Sequence, residues 1–351
     1  MLLQEALDSI AGLDEDMMLK AQLRLDSLTK PLGSLGRLED IVRQLAGITG
    51  ELYPSVHRKA IVVMCADNGV VEEGVAQTSK SVTSAVTRNF TKGFTAINVL
   101  AGHSKAELAI VDIGVDDDLS VDGILDRKIR RGTRNIAKGP AMTGQEAVKA
   151  IEAGIGVVSE LHGRGVNLLG TGEMGIGNTT TSSAVASVLT GSSVEKMVGR
   201  GAGLSDEGLI NKIRVVKQAI KLNRPDPNDP LEVLSKLGGL DIAGLVGCYI
   251  GAAAFRIPIL VDGFISSAAA LIAVNIKSEI RSFILPSHGS AEPGNRAVMD
   301  ALGMEPLMNL RMRLGEGTGA ALAFHIVDAA VAAYRDMGTF DDANIQKYTH
   351  L

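Results

Sequence analysis

The sequence predicts an α/β protein built on a Rossmann-like parallel sheet with helices on both faces. Apolar runs that end in a turn rich in Gly, Asp or Ser recur along the chain, and a helical segment follows most of them. Such repeats of strand, turn and helix give parallel strands joined by helices that cover the sheet. The 351 residues, 46% of them hydrophobic, are enough to bury a substantial core.

Both ends of the chain have helical character. Apolar residues recur at helical spacing over residues 1–28, and a further helix is predicted from Leu35 to Ile48. We expect residues 1–50 and about 325–351 to form a small helical domain. Residues 51–324 then form the Rossmann-like domain that carries the functional site.

The predicted sheet is assembled from short apolar runs, most of them bounded by Gly, Asp, Ser or Pro. Strands are expected at residues 60–66, 108–115, 166–169, 257–265 and 283–286, and residues 116–140 are expected to be an exposed loop or edge strand. Helices are expected at 90–100, 144–163, 181–189, 207–222, 231–237, 241–254 and 320–334. The helix over 241–254 is rich in small residues and must pack closely. Ligands of such sheets bind at the carboxyl ends of the strands.

The stretch Gly170 to Thr180 is the first candidate site, because it follows an apolar strand and precedes a helix. Gly170-x-Gly172-x-x-Gly175 matches a dinucleotide fingerprint, which keeps a nicotinamide-dependent oxidoreductase as an alternative. The overlapping P-loop pattern lacks its lysine, which argues against ATP or GTP. The stretch predicts a site for a phosphate or a nucleotide. A tight turn without a ligand is the structural alternative.

Glu316 is the second candidate, because it lies between Gly315 and Gly317 just before an apolar helix. Burial beside an apolar wall would raise its pKa toward that of a useful base, although the positive end of the helix acts in the opposite direction. The alternative is a carboxylate that only caps the helix.

Composition excludes several classes of function. The net charge is −5, only 3% of residues are aromatic and there is no Trp, so a nucleic-acid partner is not expected. Cys65 and Cys248 lie in apolar runs and are expected to be buried free thiols, and no spacing predicts a metal site. The first ten residues lack the basic segment of a secretory signal, and no uncharged run is long enough to span a membrane. We expect a cytoplasmic enzyme without a membrane partner.

Long motifs in a fixed order carry a resemblance to a known family. They are TKPLGSLGRLE, ADNGV, VT-x6-NF, GTGEMGIGNTT, VGRGAGL, LGGLDIAGLVG, VDGF, SHGSAEPG and MRLGEGTGAALA, and they extend from about residue 28 to 323. The chain resembles the nicotinate-nucleotide:dimethylbenzimidazole phosphoribosyltransferases of cobamide biosynthesis. The resemblance implies transfer of 5-phosphoribosyl from nicotinate mononucleotide to a lower-ligand base, which releases nicotinate and gives an α-riboside 5′-phosphate.

The resemblance also implies roles for individual residues. Glu316 would be the general base and Glu173 a second carboxylate near the reacting centre. The phosphoribosyl and nicotinate parts would be held by Gly175, Asn178, Thr179, Gly201, Lys212 and Ser290. The base pocket would include Thr78, Val86, Met174 and Leu314. The family needs neither a metal nor another cofactor, and it forms homodimers with a Rossmann-like core.

This sequence departs from the family pattern in the base pocket. Val86 stands where benzimidazole users have Gln, Thr78 where they have Ser, and Asn68 where they have His. A smaller and more apolar acceptor, such as phenol or p-cresol, is consistent with Val86. Relatives that use phenols are pairs of homologous subunits, so this chain is expected to form either a homodimer or a heterodimer. A weakly active paralogue that supports a catalytic partner remains an alternative.

Overall fold

The computed structural model describes residues 1–346, and their central element is a six-stranded sheet in which every pair of neighbours is parallel. The strands are β1 (Lys59–Ala66), β2 (Ala106–Gly114), β3 (Ile124–Asp126), β4 (Leu168–Met174), β5 (Ile259–Val261) and β6 (Ile284–Pro286). Their order is β3-β2-β1-β4-β5-β6. This is the strand order of the Rossmann fold, and the order reverses between β1 and β4. The predicted fold class is confirmed.

Helices cover both faces of this sheet. They are α1 (Leu3–Ser9), α2 (Glu15–Ser27), α3 (Arg37–Thr49), α4 (Ser81–Phe90), α5 (Ala96–His103), α6 (Gly144–Gly163), α7 (Asn178–Thr190), α8 (Val194–Met197), α9 (Asp206–Asn223), α10 (Pro230–Leu237), α11 (Leu240–Ala254), α12 (Phe264–Ile276), α13 (Asn295–Ala301), α14 (Thr318–Asp336) and α15 (Phe340–Ala343). Short 3-10 helices occupy Gly69–Glu73 and Ser278–Phe283.

Strand β1 separates two hydrophobic clusters. Because side chains alternate along a strand, Ile61, Val63 and Cys65 face one cluster while the residues between them face the other. The first cluster contains apolar side chains of α2, α3, α5 and α14, and the second contains those of α6, α7, α11 and α12. With both faces covered, every residue of β1 is buried, which explains the apolar run that follows Lys59 in this strand.

Helices α6 and α11 pack closely, as the small residues of 241–254 predict. A Cβ at Gly154 would lie 2.1 Å from the carbonyl oxygen of Gly244, and a Cβ at Gly247 would lie 2.0 Å from that of Ile151. Glycine is therefore required where these two backbones meet.

Several predicted helix boundaries are wrong. Residues 1–28 form two helices, α1 and α2, separated at residues 10–14. The helix predicted over 90–100 is replaced by α4, which covers the preceding Ser- and Thr-rich segment, and by α5, which begins after a cap at Thr95.

Two strands also differ in extent from the prediction. Within Gly170 to Thr180, the strand continues to Met174, so Gly170 and Gly172 lie in β4 instead of the turn. The strand predicted over 257–265 is shortened to β5, because α12 begins directly after the turn that follows it.

The division into a helical domain and a Rossmann-like domain stays a prediction, and its residues 347–351 lie outside the described part of the chain. Helices α3 and α14 share their hydrophobic cluster with side chains of the central strands. Cys65 and Cys248 are buried and free, as predicted. Across residues 1–346, no helix has the length and apolar character needed to cross a membrane.

Candidate active site

A cavity of about 730 Å³ opens at the carboxyl edge of the sheet, where β4, β5 and β6 end. Its volume is in the range of small-molecule sites. Its wall comes from segments distant in sequence, namely the loop before α4, the first turns of α5 and α7, the loop at 200–204, the start of α12, and the loops after β6 and before α14. Nine predicted site residues line it: Thr78, Glu173, Met174, Gly175, Asn178, Thr179, Gly201, Ser290 and Leu314.

Three predicted site residues lie behind this wall. Glu316 and Lys212 are buried next to residues of the wall, and Val86 packs against the hydrophobic cluster that includes Ile97 and Ala101. Val86 is half-buried and contributes no surface to the cavity in the described part of the chain.

The turn between β4 and α7 is shorter than the sequence pattern indicates, because only Gly175, Ile176 and Gly177 belong to it. A Cβ at Gly175 would lie 2.4 Å from the carbonyl oxygen of Ala66, and Gly177 has a φ of +95°. Helix α7 begins at the cavity, and the positive end of its dipole favours an anion there. Since Gly170 and Gly172 are strand residues, the dinucleotide fingerprint does not form a phosphate loop here.

Lys212 reaches this turn from α9. Its Nζ donates to Oγ1 of Thr179 at 2.8 Å and to the carbonyl oxygen of Gly199 at 3.2 Å. Burial lowers the pKa of Lys212 to about 8, and the nearby carboxylate of Glu292 acts in the opposite direction. An ammonium held immediately behind the wall, together with the start of α7, makes this end of the cavity suited to an anion.

Glu173 is the last strand residue but one of β4, and its side chain points to the side of the sheet that α11 covers. The Nδ2 of Asn178 donates to Oε2 of Glu173 and, at 3.0 Å, to Oδ2 of Asp241 in the first turn of α11. Burial raises the pKa of Glu173 to about 8, and the negative charge of Asp241 adds to this effect. Burial also raises the pKa of Asp241 to about 6. The side-chain amide of Asn178 thus bridges two buried carboxyl groups.

Glu316 lies in a turn with unusual backbone geometry. Gly315, Glu316 and Gly317 have successive φ values of +82°, +61° and +88°. A left-handed conformation is uncommon for a residue with a side chain and persists only where the surrounding structure enforces it. A Cβ at Gly172 would lie 2.5 Å from the carbonyl oxygen of Glu316, so the glycine in the strand makes room for this turn. Gly170 is likewise packed against Ala320 of α14.

The carboxyl group of Glu316 is buried in surroundings that raise its pKa. Burial raises its pKa, the backbone amide of Ile97 lowers it, and the negative charge of Asp262 raises it further. Within the described chain, its Oε2 is buried without a hydrogen-bond partner. An unpartnered carboxylate oxygen of raised pKa beside a cavity is the arrangement expected of a general base.

Sequence reasoning missed five polar residues of the site. Asp241, Asp262 and His288 are buried around the two glutamates, and Glu292 and Arg313 line the cavity near the anion end. All five belong to motifs quoted for the resemblance. Their position directly after strands or inside glycine-rich loops was the signal available. In residues 1–346, no cluster of His, Cys, Asp and Glu has the arrangement of a metal site.

Comparisons with known proteins agree on one family. The family model described as "Phosphoribosyltransferase" matches residues 10–345. A protein of Ruminiclostridium cellulolyticum named nicotinate-nucleotide–dimethylbenzimidazole phosphoribosyltransferase is 65% identical over the full length of both chains. A protein of the same name from Acetivibrio thermocellus is 66% identical over 99% of both chains. The crystal structure of CobT from Thermus thermophilus has a TM-score of 0.91 at 40% identity, covering 95% of this chain and 100% of that one.

Proposed function

This chain belongs to the nicotinate-nucleotide–dimethylbenzimidazole phosphoribosyltransferase family, and from that premise we propose which of its residues carry out the reaction. The chain transfers 5-phosphoribosyl from nicotinate mononucleotide to a cobamide lower-ligand base. A bond forms between the incoming base and the anomeric carbon as the bond to nicotinate breaks. The electron pair of the broken bond neutralises the pyridinium nitrogen of nicotinate, and the incoming base loses one proton.

We propose that the nucleotide binds at the turn between β4 and α7. The residues that hold its phosphoribosyl and nicotinate parts are Gly175, Asn178, Thr179, Gly201, Lys212 and Ser290. The start of α7 supplies backbone N–H groups, and the ammonium of Lys212 supports Thr179 from behind the wall. Because Nδ2 of Asn178 already donates to two carboxyl groups, the side chain of Asn178 acts on substrate mainly by fixing Glu173.

Glu316 is the general base in this proposal, and it accepts the proton that the incoming base loses. The observation that carries this role is a buried carboxyl group of raised pKa in an enforced left-handed turn, with Gly315 and Thr318 on either side lining the cavity. The family also supplies the chemistry, since displacement at a sugar carbon needs a deprotonated nucleophile.

Glu173 stabilises the positive charge of the nucleotide in this proposal. Its pKa of about 8 leaves the carboxyl group mostly protonated at neutral pH in the empty site. The pyridinium ring of nicotinate mononucleotide is a cation, and a cation beside a carboxyl group favours the ionised form. We propose that Glu173 ionises when the nucleotide binds and that its negative charge then stabilises positive charge on the ribose in the transition state.

The incoming base fits the apolar part of the wall, between Thr78, Leu100, Met174 and Leu314. We propose 5,6-dimethylbenzimidazole as the preferred base, because relatives that are 61% to 66% identical carry that name. Phenol and p-cresol are the second candidate class, on the ground that Val86 replaces a Gln of benzimidazole users.

Two exposed apolar pairs support assembly into dimers. Leu19 and Leu23 lie one turn apart on α2, whereas Phe94 lies just before α5 and Val99 on the surface of that helix. We propose a homodimer, with a heterodimer of homologous subunits as the alternative, and light scattering of the purified chain distinguishes a dimer from a monomer. We expect the enzyme in the cytoplasm, since a charged, phosphorylated substrate stays in the compartment where it is made.

A single assay tests the proposed base. The chain, purified alone, is incubated with nicotinate mononucleotide and equal concentrations of benzimidazoles, purines and phenols, and the riboside phosphates are identified by mass. We expect the dimethylbenzimidazole riboside phosphate to dominate. A dominant phenolic product would contradict the preferred base, and activity only after addition of a paralogue would favour the supporting-subunit alternative.

A further inference from the structure

We infer that Asp262 is a positioning residue for Glu316, holding the left-handed turn that aims the carboxyl group of Glu316 at the incoming base. The inference rests on the proposed role of Glu316 as general base. Asp262 does not touch the cavity in the described structure, so its action on the reaction passes through the turn.

Asp262 follows β5 directly and is buried. Its Oδ2 accepts a hydrogen bond from the N–H of Gly317 at 3.2 Å. Its Oδ1 accepts from the N–H groups of Gly319 at 2.7 Å and Ala320 at 3.1 Å. One carboxylate therefore holds three of the amides around the start of α14.

Helix α14 needs such a partner from elsewhere in the chain. Its cap residue is Gly317, which has no side chain to accept from the first amides of the helix. The residue before this cap is Glu316 itself. Asp262 fixes the amide of Gly317 on one side of the turn. On the other side, Gly172 of β4 leaves room for the carbonyl group of Glu316, so the turn is held on both sides.

The charges around Asp262 explain why a carboxylate is used. Burial raises the pKa of Asp262, whereas His288, whose Nε2 lies 3.7 Å from Oδ1, and the three amides lower it. The titratable groups that face Asp262 from β4, the turn and α11 are Glu173, Glu316 and the hydroxyl group of Tyr249, and the charge of Asp262 adds to the effect of burial in raising the pKa of each. An ionised Asp262 in turn raises the pKa of Glu316 and makes it a stronger base.

Asp262→Asn tests the inference, because it keeps one oxygen for the amides of α14 and removes the charge. We expect kcat to fall by about tenfold or more while KM for nicotinate mononucleotide stays within about threefold. The acidic limb of the pH profile of kcat/KM should move to lower pH, since loss of the Asp262 charge lowers the pKa of Glu316. The control is Asp300→Asn, an exposed position on α13.

A double-mutant cycle separates positioning from general support of the fold. If Asp262 acts through Glu316, adding Asp262→Asn to Glu316→Gln should slow the enzyme by no more than about twofold. If Asp262→Asn does not fold, the same measurements are made on Asp262→Ser, whose hydroxyl oxygen can still accept from one amide.

Two results would overturn the inference. One is an Asp262 variant with unchanged kcat per folded molecule. The other is a variant with reduced kcat in which the acidic limb of the pH profile of kcat/KM has not moved. Either result, combined with a large loss in Glu316→Gln, leaves the proposed function intact. A Glu316→Gln enzyme within about threefold of the wild type would instead remove the proposed general base, and the role of Asp262 with it.

Discussion

Two glycine turns in this molecule are built alike and used differently. Gly175-Ile176-Gly177 leads into α7, and Gly315-Glu316-Gly317 leads into α14. Each helix has a left-handed glycine as its cap, with φ of +95° at Gly177 and +88° at Gly317, and neither cap offers a side chain to the first amides. Both turns therefore present the positive end of a helix to the same cavity.

The difference lies in what satisfies each helix start. At α14, the carboxylate of Asp262 takes three amides, so the position is already occupied by an anion of the protein. At α7, among residues 1–346, no carboxylate accepts from the amides of the first turn. We propose from this difference that the turn before α14 positions the general base, whereas the start of α7 binds the anion of the substrate.

Removal of the carboxylate at the α14 turn is the strongest test of this comparison. We expect Glu316→Gln to lower kcat by about two orders of magnitude or more, because the amide cannot accept the proton of the incoming base. KM for nicotinate mononucleotide should change little, since we propose that the nucleotide binds at the other turn. Steady-state kinetics checks both values. Glu51→Gln, an exposed carboxylate before β1 and away from the carboxyl edge, should behave as the wild type.

At the α7 turn, the corresponding change is Lys212→Met, which removes an ammonium and keeps most of its volume. KM for nicotinate mononucleotide should rise about tenfold or more, with a smaller effect on kcat, because a charge-assisted contact to the anion end is lost. Lys217→Met, an exposed position on the same helix, is the matched control. A loss confined to kcat would mean that Lys212 does not serve nucleotide binding.

Glu173 lies between the two turns, and its raised pKa predicts how stability depends on pH. Its pKa is 4.5 in the unfolded chain and about 8 when folded, so the folded state binds the extra proton between these values. The contribution of Glu173 to the free energy of unfolding is fully present below pH 4.5 and is lost as the pH rises toward 8. We expect Glu173→Gln to lack this pH dependence, so that at about pH 8 its free energy of unfolding exceeds that of the wild type by roughly 1 kcal/mol or more. Calorimetry of both proteins at about pH 5.5 and about pH 8.5, without substrate, measures it.

The smallest effect is expected at Val86, which contributes no surface to the cavity in the described structure. Because Val86 packs behind the wall, Val86→Gln should raise the ratio of benzimidazole to phenol turnover by less than about tenfold. Competition between the two acceptors, followed by mass, gives the ratio directly. An unchanged ratio would remove Val86 from the base pocket.

The existence of the central strands could be predicted from the sequence because their signal is local, although the ends of β4 and β5 could not. An apolar run such as Ala60–Ala66 is buried on both faces, and no polar position interrupts it. The helix predicted at about 144–163 is confirmed as Gly144–Gly163, and Thr143 caps it. The positions of helix starts near the site were less predictable, since Thr95 and Gly177 set them through local hydrogen bonds and a left-handed backbone.

Much of the site depends on contacts between distant segments, which one sequence does not display. The charge of Asp241 in α11 adds to the effect of burial in raising the pKa of Glu173 in β4. Asp262, directly after β5, accepts a hydrogen bond from the amide of Gly317 before α14. Glu316 was predicted from its position between two glycines, and the role of Glu173 only from the resemblance, whereas the glycine pattern wrongly placed Gly170 and Gly172 in a phosphate loop. The role of these two glycines is steric, because the strand must approach α14 and its turn without side chains.

Gly172 has a consequence for any map of tolerated substitutions in this enzyme. In the described structure it does not line the cavity, yet an alanine there would collide with the carbonyl group of Glu316. In a saturation scan of activity, substitutions at Gly172 should therefore be as damaging as those at Glu316 and more damaging than those at neighbouring residues of the sheet. Residues that are intolerant to mutation should therefore extend beyond those that line the cavity. They include residues such as Gly172, which lie outside the turn of Glu316 but are needed for its conformation.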